Sequence, residues 1–293
     1  MNWIQGIQRA IDYVESNIEQ EIDFEEVAKH AYSSSFHFQR VFAILCGFSL
    51  GDYIRMRRLS LAGEELSKGN AKIIDIAMKY GYDTPESFSR AFTRFHGISP
   101  SDAKHGGKAK IFTPLSVKLI LTGGSKMDYR IEKRDSFEVV CKRKRVDKPQ
   151  SANATKDITA LWQEFGADGT LGRLIACVPE NPVMKGLLGI CFSSELDAMQ
   201  FPYGIGVEYD GRKVDDDFEI VSIPANTFAV FTCKGKMPDA FVETYHRIVT
   251  EFFPQSTQYE YAENVEFEVY PSEDTYNPDY QCEIWIAVNE KTE

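Results

Sequence analysis

The sequence predicts a multidomain protein in which an all-α N-terminal domain with two helix-turn-helix units precedes an α+β C-terminal domain. Its 293 residues suggest two domains at roughly 150 residues each. Apolar side chains recur at three- and four-residue steps up to residue 104, as in amphipathic helices, and the period falls towards two from Tyr129, as in strands. With 43% hydrophobic and 26% charged residues, the chain can fill a core, which excludes a disordered, collagen-like or disulfide-scaffold protein.

Four helices are predicted in the first 69 residues from the spacing of their apolar positions. Gly47 and Gly69 end the third and fourth of them, because glycine accepts the left-handed conformation that follows a helix. The apolar positions, helix by helix, are Ile4, Ile7, Ala10, Ile11 and Val14; Phe24, Val27, Ala28 and Ala31; Phe38, Val41, Phe42 and Leu45; and Ile54, Leu59, Leu61, Ala62 and Leu66.

An internal repeat with a period of about 50 residues follows the same region. Upstream of the turn the offset is one residue shorter, so we expect the second copy to have a turn that is one residue longer. The matched positions are Ser34, Phe38, Arg40, Phe42, Gly47 and Ser49 in the first copy, and Thr84, Phe88, Arg90, Phe92, Gly97 and Ser99 in the second.

Each copy has the helix-turn-helix layout, a short helix and a tight turn before a second helix. The outward stripes of the second helices carry Phe36, Gln39, Arg40 and Ala43 in one copy, and Glu86, Ser87, Arg90 and Arg94 in the other. Gln pairs with adenine and Arg with guanine in the major groove, and two such helices would reach groove segments roughly 34 Å apart. An ordinary solvated helix face has the same composition, so spacing alone leaves both interpretations open.

The formal net charge of −11 is unevenly distributed along the chain. Residues 1–107 carry −2, residues 108–148 carry +7 and residues 149–293 carry −16. The whole-chain charge therefore does not exclude a nucleic-acid partner. Basic side chains that we expect to support phosphate contacts are Arg55, Arg57, Arg58, Lys104, Lys108 and Lys110.

Longer motifs run through both repeats of the helical region. They are Ala28-x-x-Ala31-x-x-Ser34-x-x-His37-Phe38-x-Arg40-x-Phe42, Gly47-Phe48-Ser49-x-x-x-Tyr53-Ile54-x-x-Arg57-Arg58-Leu59, Ile76-Ala77-x-x-Tyr80-Gly81-Tyr82, Phe88-x-Arg90-x-Phe92 and Gly97-Ile98-Ser99-Pro100. By these motifs, residues 5–105 resemble the AraC/XylS family of bacterial transcription regulators across both repeats. The resemblance implies double-stranded promoter DNA and RNA polymerase as partners, with base-reading positions at Phe36, Gln39, Arg40, Glu86, Ser87 and Arg90. Tyr32 stands where many members have the glycine of the first turn, and Lys104 where arginine is common.

The C-terminal domain is predicted to duplicate a strand–helix–strand–strand (β-α-β-β) unit. Domain boundaries are expected at 1–107 and 128–293, joined by a linker over 108–127 that contains a short strand at Val117, Leu119 and Leu121. Strands are predicted at 129–132, 136–146, 186–193, 202–209, 218–223, 226–234, 264–270 and 281–288, and helices at 155–166 and 238–253.

Alternation along the last two strands predicts a ligand site. Glu268 and Tyr270 share one face of their strand, and Glu283 and Trp285 share one face of the next. If the strands pair, these four side chains would line a single sheet face, where an aromatic cage with acidic groups suits an organic cation. Trp162, Tyr203 and Tyr245 are candidate walls of this site, although each is equally compatible with a place in the core. The acidic sheet face is likewise compatible with an ordinary solvent-exposed face.

Further motifs run through the C-terminal region. They are Leu161-Trp162-x-x-Phe165, Phe201-x-Tyr203-x-x-Gly206-Val207, Ile223-Pro224-Ala225-x-x-Phe228-Ala229-Val230-Phe231, Tyr245, Phe267-Glu268-Val269-Tyr270 and Glu283-Ile284-Trp285-Ile286. By these residues, the region 128–290 resembles the GyrI-like (SHS2-type) effector-binding domain, and the domain order resembles Rob-type regulators. The resemblance implies a small-molecule effector bound near an acidic residue deep in an aromatic pocket.

An enzyme is the alternative, a small-molecule hydrolase in which Glu268 or Glu283 beside Tyr270 acts as general base. No nucleophile–base pair or phosphate loop is legible elsewhere, and the five histidines and six cysteines lack metal-ligand spacing, so we expect neither metal nor cofactor. The chain shows no signal peptide and no apolar stretch of membrane-spanning length. We therefore expect a cytoplasmic regulator that acts as an activator, with reduced thiols and no membrane partner.

Overall fold

A computed structural model describes residues 3–33, 35–117, 127–147, 154–192, 200–271 and 274–291. The chain divides into two structural units, residues 1–120 and 121–293. The first is helical and the second is an antiparallel sheet with helices, so the two-domain fold class predicted from the sequence is confirmed. None of the described helices is long and apolar enough to cross a lipid bilayer.

The described part of the first unit contains two apolar cores, one for each helix-turn-helix. Phe38, Phe42 and Tyr53 lie in the first core, and Tyr80, Phe88 and Phe92 in the second. The fourth helix contributes to both cores and so joins the two helix-turn-helix units. The helices are α1 (Trp3–Ser16), α2 (Phe24–His30), α3 (Ser35–Cys46), α4 (Leu50–Ser67), α5 (Ile73–Lys79), α6 (Pro85–His96) and α7 (Pro100–Lys104).

Helix boundaries in this unit follow from local capping. The Thr84 hydroxyl accepts the Ser87 N–H at 3.2 Å before α6, and Ser99 forms a capping box with Asp102 before α7. Gly47 has a φ of +74°, which confirms the prediction that it ends α3.

The turns of the two helix-turn-helix units differ as the repeat predicts. Four residues separate α2 from α3, and five separate α5 from α6. Tyr32 takes a φ of +53°, the conformation that Gly81 takes at +79° in the second turn. A non-glycine residue pays a small conformational cost there, and the Arg9 guanidinium packs 4.8 Å from the centroid of the Tyr32 ring. The chain thus retains the turn without its glycine.

Arg57 forms a buried ion pair at the centre of the helical unit. Its Nε and Nη2 donate to the Glu15 carboxylate at 2.9 and 2.8 Å, and its Nη1 donates to the Phe112 carbonyl. The Tyr53 hydroxyl donates to the same carboxylate at 2.7 Å. Because Arg57 is 5% exposed and is held by Glu15, its guanidinium is not presented to solvent, so its burial does not support the prediction of a DNA contact.

Arg58 is likewise committed to the fold. Its Nε donates to the Ile18 carbonyl at 2.8 Å and its Nη2 to the Gln20 carbonyl, beyond the end of α1. Its Nη1 also lies against the second turn, since a Cβ on Gly81 would be only 2.9 Å from it. Arg58 therefore ties α4 to the end of the first helix and to the second turn, so its predicted role in phosphate binding is not supported by its contacts.

Residues 110–117, which we name the strap, lie along the helical unit without strand structure. Side chains of that unit accept hydrogen bonds from backbone N–H groups of the strap. One acceptor is His96 Nδ1, which must therefore be unprotonated, so the proton of the neutral ring lies on Nε2 and is donated to the Leu59 carbonyl at 2.9 Å. Burial lowers the pKa of His96, which favours this neutral form. The strap bonds run from Lys110 to His96 (2.9 Å), Phe112 to Ser60 (2.9 Å), Leu115 to Tyr53 (3.1 Å) and Val117 to Gln8 (2.7 Å).

The predicted linker of residues 108–127 is therefore only partly described. Residues 108–117 belong with the helical unit, whereas residues 118–126, which include most of the predicted linker strand, lie outside the described residues. The domain boundaries at 107 and 128 remain predictions.

The described strands of the second unit form one sheet in the order β1-β6-β8-β7-β3-β4-β2-β5, with every neighbouring pair antiparallel. All eight predicted strands are present, and α9 was not predicted. The elements are β1 (Tyr129–Arg134), β2 (Phe137–Asp147), α8 (Ala154–Ala167), α9 (Thr170–Ile175), β3 (Leu187–Phe192), β4 (Gln200–Glu208), β5 (Glu219–Ile223), β6 (Asn226–Lys234), α10 (Asp239–Arg247), a π-helical turn (Ile248–Phe252), α11 (Phe253–Gln255), β7 (Tyr259–Tyr270) and β8 (Gln281–Glu290).

The two faces of this sheet differ in their contents. Phe267, Trp285 and Phe228 belong to an apolar core on one face, and Phe137 also reaches Phe267, with 5.9 Å between ring centroids. Because β3 and β4 lie between β2 and β7 in the sheet order, this contact shows that the sheet curves towards that face. Helices α8 and α10 cover the opposite face, which we name the helix face, where polar groups accumulate.

Replacing Arg57 by alanine should lower the free energy of unfolding of the helical unit by about 3 kcal/mol, because it leaves the Glu15 carboxylate without its buried partner. Chemical denaturation of the full chain, followed by circular dichroism at the helix band, measures this change. Arg55→Ala is the matched control, since the Arg55 side chain is 51% exposed and should change stability by no more than about 0.5 kcal/mol. Equal stabilities of the two variants would contradict the assignment.

Candidate DNA-reading helices and ligand site

Helix α6 presents the predicted outward stripe to solvent. Glu86, Arg90 and Arg94 are exposed, and Ser87 is half-buried with its hydroxyl donating to the Thr84 carbonyl at 2.9 Å. The threonine cap and Pro85 fix the start of the helix, so these side chains project from a rigid element. This face has the side chains and the exposure that a base-reading helix requires, and contact with DNA itself remains a prediction.

Helix α3 differs from α6 in how much of its stripe is accessible. Arg40 is half-buried, whereas Gln39 is only 1% exposed and donates from Nε2 to Ser35 Oγ at 3.0 Å. At about 100° per residue, Gln39 lies only one step around the helix from the core residue Phe38, on the flank rather than the outer face. The prediction that Gln39 faces outward is wrong. The side chain of Phe36 lies outside the described residues.

The helix face of the sheet brings four of the predicted ligand residues together. The Glu268 carboxylate on β7 accepts hydrogen bonds from the hydroxyls of Tyr270 at 2.9 Å and Tyr203 at 3.2 Å. Trp162 on α8 donates from its indole N–H to the Tyr203 hydroxyl at 3.1 Å, and its ring meets Tyr270 edge-on with centroids 5.3 Å apart. Glu268 is 7% exposed, so its carboxylate is largely removed from water.

Space for this cluster depends on a glycine of β3. Gly189 lies directly opposite Glu268, and paired residues of antiparallel strands point to the same face. A Cβ on Gly189 would come 2.2 Å from the Tyr203 hydroxyl and 2.9 Å from Glu268 Oε2. The absent side chain thus leaves the place that the hydroxyl and the carboxylate occupy.

A second carboxylate–phenol cluster lies two residues earlier on the same strand. Glu266 is 2% exposed and accepts hydrogen bonds from Tyr261 at 2.8 Å and Tyr245 at 3.2 Å. Tyr245 was predicted as a wall of one pocket, and the structure places it here, on α10. Glu266 and Tyr261 were not predicted, because they are five positions apart and regular alternation puts them on opposite faces. An irregularity in the β7–β8 pairing between these residues brings them together.

Glu283 and Trp285 do not join Glu268. Strands β7 and β8 pair as predicted, but Glu268 opposes Ile284, whereas Glu283 opposes Val269 and Trp285 opposes Phe267. Because opposed residues share a face, Glu283 and Trp285 lie on the apolar face, and the prediction of one shared cage is wrong.

Arg130 of β1 occupies the cage that Glu283 and Trp285 form. Its guanidinium makes two hydrogen bonds with Glu283, at 2.7 and 3.0 Å, and lies 5.4 Å from the Trp285 ring centroid. The indole N–H of Trp285 donates to Glu283 at 2.8 Å. These residues therefore do bind a cation over an aromatic ring, as their types suggested, but the cation belongs to the chain.

Electrostatics separate the two acidic sites. Burial alone would raise the pKa of Glu283, but hydrogen bonds from Arg130 and Trp285 outweigh it and hold that pKa below its usual value. Burial and the nearby Glu268 raise the pKa of Tyr270 well above its ordinary range, so its phenol stays protonated and donates. Within the described ranges, no group of three or more His, Cys, Asp or Glu side chains is arranged to hold a metal ion.

Comparisons with known proteins match both units. A family model described as a helix-turn-helix domain matches residues 27–105, and one described as an integron-associated effector binding protein matches residues 130–288. The HTH-type transcriptional activator AarP of Providencia stuartii is 39% identical over 95 residues, which cover 32% of this chain and 70% of that protein. The regulatory protein SoxS of Salmonella typhimurium is 40% identical over 105 residues, which cover 36% of this chain and 98% of SoxS.

A solved structure, SAV2435 bound to tetraphenylphosphonium, is also similar to part of this chain. It is 24% identical with a TM-score of 0.48, and the match covers 56% of this chain and 94% of that one.

Replacing Gly189 by alanine should destabilise the second unit by about 1–3 kcal/mol, because the new methyl group displaces the Tyr203 hydroxyl or the Glu268 carboxylate. Denaturation followed by tryptophan fluorescence measures the change. Gly172→Ala is the control, since a Cβ on that α9 glycine would meet no atom within 4 Å and alanine favours the helix. If Gly189→Ala were as stable as Gly172→Ala, the close approach would not constrain the site.

Proposed function

The chain belongs to the AraC-type DNA-binding transcription regulators and carries a C-terminal effector-binding domain, and from this we propose that it is a cytoplasmic activator controlled by an organic cation. The observation that carries the proposal is the desolvated Glu268 carboxylate enclosed by Trp162, Tyr203 and Tyr270. Double-stranded DNA is the partner of the helical unit, and a small molecule is the partner of the sheet unit.

We propose that α3 and α6 enter two adjacent major-groove segments. The exposed face of α6 supports this, with Arg90 and Arg94 free of the ion pairs that occupy Arg57, so far as the described contacts go. Arginine recognises the guanine edge with two parallel hydrogen bonds. In α3, Arg40 is the residue proposed for base contact, while Gln39 would have to leave its buried position first.

A cationic, aromatic ligand is the class that fits the Glu268 cluster. Tryptophan and tyrosine faces attract a cation through their quadrupoles, and the attraction grows when water is excluded. The carboxylate adds a Coulomb term that is larger in this buried setting than in bulk water. A flat or propeller-shaped organic cation satisfies both, whereas an anion would meet repulsion from Glu268 and Glu266.

We propose that the strap conveys ligand binding to the helices. Its backbone is bonded to α1, α4 and α6, the last being the second DNA-reading helix. A change in tension along residues 110–117 would therefore act on both helix-turn-helix units. Only a difference in ligand affinity between two arrangements of the chain can drive such a change.

Activation through RNA polymerase is proposed because AarP, a relative of the helical unit, is named as an activator. Binding without turnover is proposed for the sheet unit. Both carboxylates that a hydrolase would use as general base are already engaged, Glu268 by the hydroxyls of Tyr270 and Tyr203 and Glu283 by Arg130, which suits binding better than proton abstraction.

We also infer that the sheet unit is a duplicated strand–helix–strand–strand fold. The sheet order supports this, because β6-β8-β7 and β3-β4-β2 form mirrored halves around the central β7–β3 pair. In each half the helix follows the first strand, α8 after β2 and α10 after β6.

Replacing Arg90 by alanine should weaken binding to a DNA fragment, selected for affinity from a random-sequence library, by about 1–3 kcal/mol. The variant should also relax the base preference at one position of that fragment. Fluorescence anisotropy with the full chain measures the affinity. Arg212→Ala is the control, since it removes the same charge from an exposed residue of the sheet unit. An equal, small effect of both variants would sink the assignment of α6 as a reading helix.

Replacing Glu268 by glutamine should weaken binding of a lipophilic dye cation such as rhodamine 6G at least tenfold, which corresponds to about 1.4 kcal/mol. The same substitution at Glu283 should leave dye affinity unchanged, because Arg130 already neutralises that carboxylate. Titrations of the full chain monitored by dye anisotropy compare the two. Unchanged affinity in Glu268→Gln, or a loss only in Glu283→Gln, would refute the site.

A further inference from the structure

Two cysteines of the sheet unit face each other across neighbouring strands. Cys233 of β6 lies directly opposite Cys282 of β8, and the two side chains are 0% and 2% exposed. Their thiols lie within hydrogen-bonding contact. Neither residue takes part in the clusters around Glu268 or Glu283 through a described hydrogen bond, and the proposed function does not use them.

The register suits a disulfide at this position. Directly opposed residues of antiparallel strands have Cα atoms about 4.5 or 5.5 Å apart, and both values fall within the range of about 4.4–6.8 Å that disulfides require. The other buried cysteines are not so placed, since Cys141 opposes Gly206 and Cys191 opposes Tyr203. Among the described strand pairings, Cys233 and Cys282 are the one cysteine pair in register.

We propose that Cys233 and Cys282 form a reversible dithiol–disulfide site that responds to peroxide. One thiol loses its proton, and the resulting thiolate attacks hydrogen peroxide to give a sulfenic acid and hydroxide. The hydroxide takes up the proton that this thiol lost and becomes water. The second sulfur then displaces water from the sulfenic acid and forms the S–S bond. In total two thiols are oxidised to one disulfide, and one peroxide is reduced to two waters.

Burial sets the character of this site. A buried thiol pair admits a neutral oxidant about the size of water and excludes larger disulfides, so peroxide is the fitting class. Hydrogen bonding with Cys233, together with burial, raises the pKa of Cys282 and keeps it protonated at neutral pH. Since the thiolate is the nucleophile, oxidation should be slow at pH 7 and faster as the pH rises.

The dithiol lies beside the proposed ligand site. Val269 opposes Glu283, and the next step of the same register brings Tyr270 opposite Cys282. A disulfide would bring the sulfurs of Cys233 and Cys282 to about 2.05 Å from each other, at the position opposite Tyr270. Oxidation should therefore change the affinity for a cation, and this consequence rests on the proposed function.

Peptide mapping of the oxidised full chain tests the site directly. The reduced chain is treated with hydrogen peroxide at pH 7 and pH 8.5, and free thiols are then alkylated in denaturant. We expect a loss of about 2 Da from the intact mass before alkylation, then a peptide pair joining Cys233 to Cys282, faster formation at the higher pH, and reversal by dithiothreitol. Cys282→Ser should abolish the linkage, and Cys177→Ser, at a half-buried cysteine, should retain it.

The wild-type map decides the question even if Cys282→Ser fails to fold. Alkylated Cys233 and Cys282 in a sample whose Cys46 or Cys177 is oxidised would overturn the proposal. Rhodamine 6G titrations of the reduced and oxidised chain separate the consequence from its premise. Failure of the reduced chain to bind dye contradicts the proposed function, whereas equal binding by both forms contradicts the coupling.

Discussion

The pairing register of β7 with β3 and β8 is the constraint on which the chemistry of the sheet unit depends. It points Glu266 and Glu268 towards the helix face, opposite Cys191 and Gly189, and it sends Glu283 to the other side. A shift of one residue would exchange the two faces and remove the carboxylates from the aromatic residues of α8 and α10. Phe267 and Val269, which alternate with the glutamates, hold this register because they belong to the apolar core.

Two arginines of the helical unit that the sequence suggested as DNA contacts are used in the fold instead. Arg57 and Arg58 stabilise the joint between the two helix-turn-helix units, and the strap passes over the same joint through Tyr53, Ser60 and Phe112. Breaking a buried ion pair is costly, so this joint should move as one piece. Under the proposed function, a signal that reached the strap would thus move α3 and α6 together.

Sequence patterns predicted the helices and strands because period and capping are local properties. They also predicted Glu268, Tyr270, Tyr203 and Trp162 as ligand residues, and these do meet. Alternation gives the faces of one strand but not its register against the next, so Glu283 was placed on the wrong face. The irregularity that joins Tyr261 to Glu266 and the internal partner of Arg57 are long-range features with no local signal.

A crystal structure of the full chain with a bound lipophilic dye cation would locate the ligand site directly. The dye should lie on the helix face of the sheet, stacked against Trp162 and Tyr203, with its positive charge nearest to the Glu268 carboxylate. A dye bound against Trp285 on the opposite face, with Arg130 displaced from Glu283, would contradict this placement.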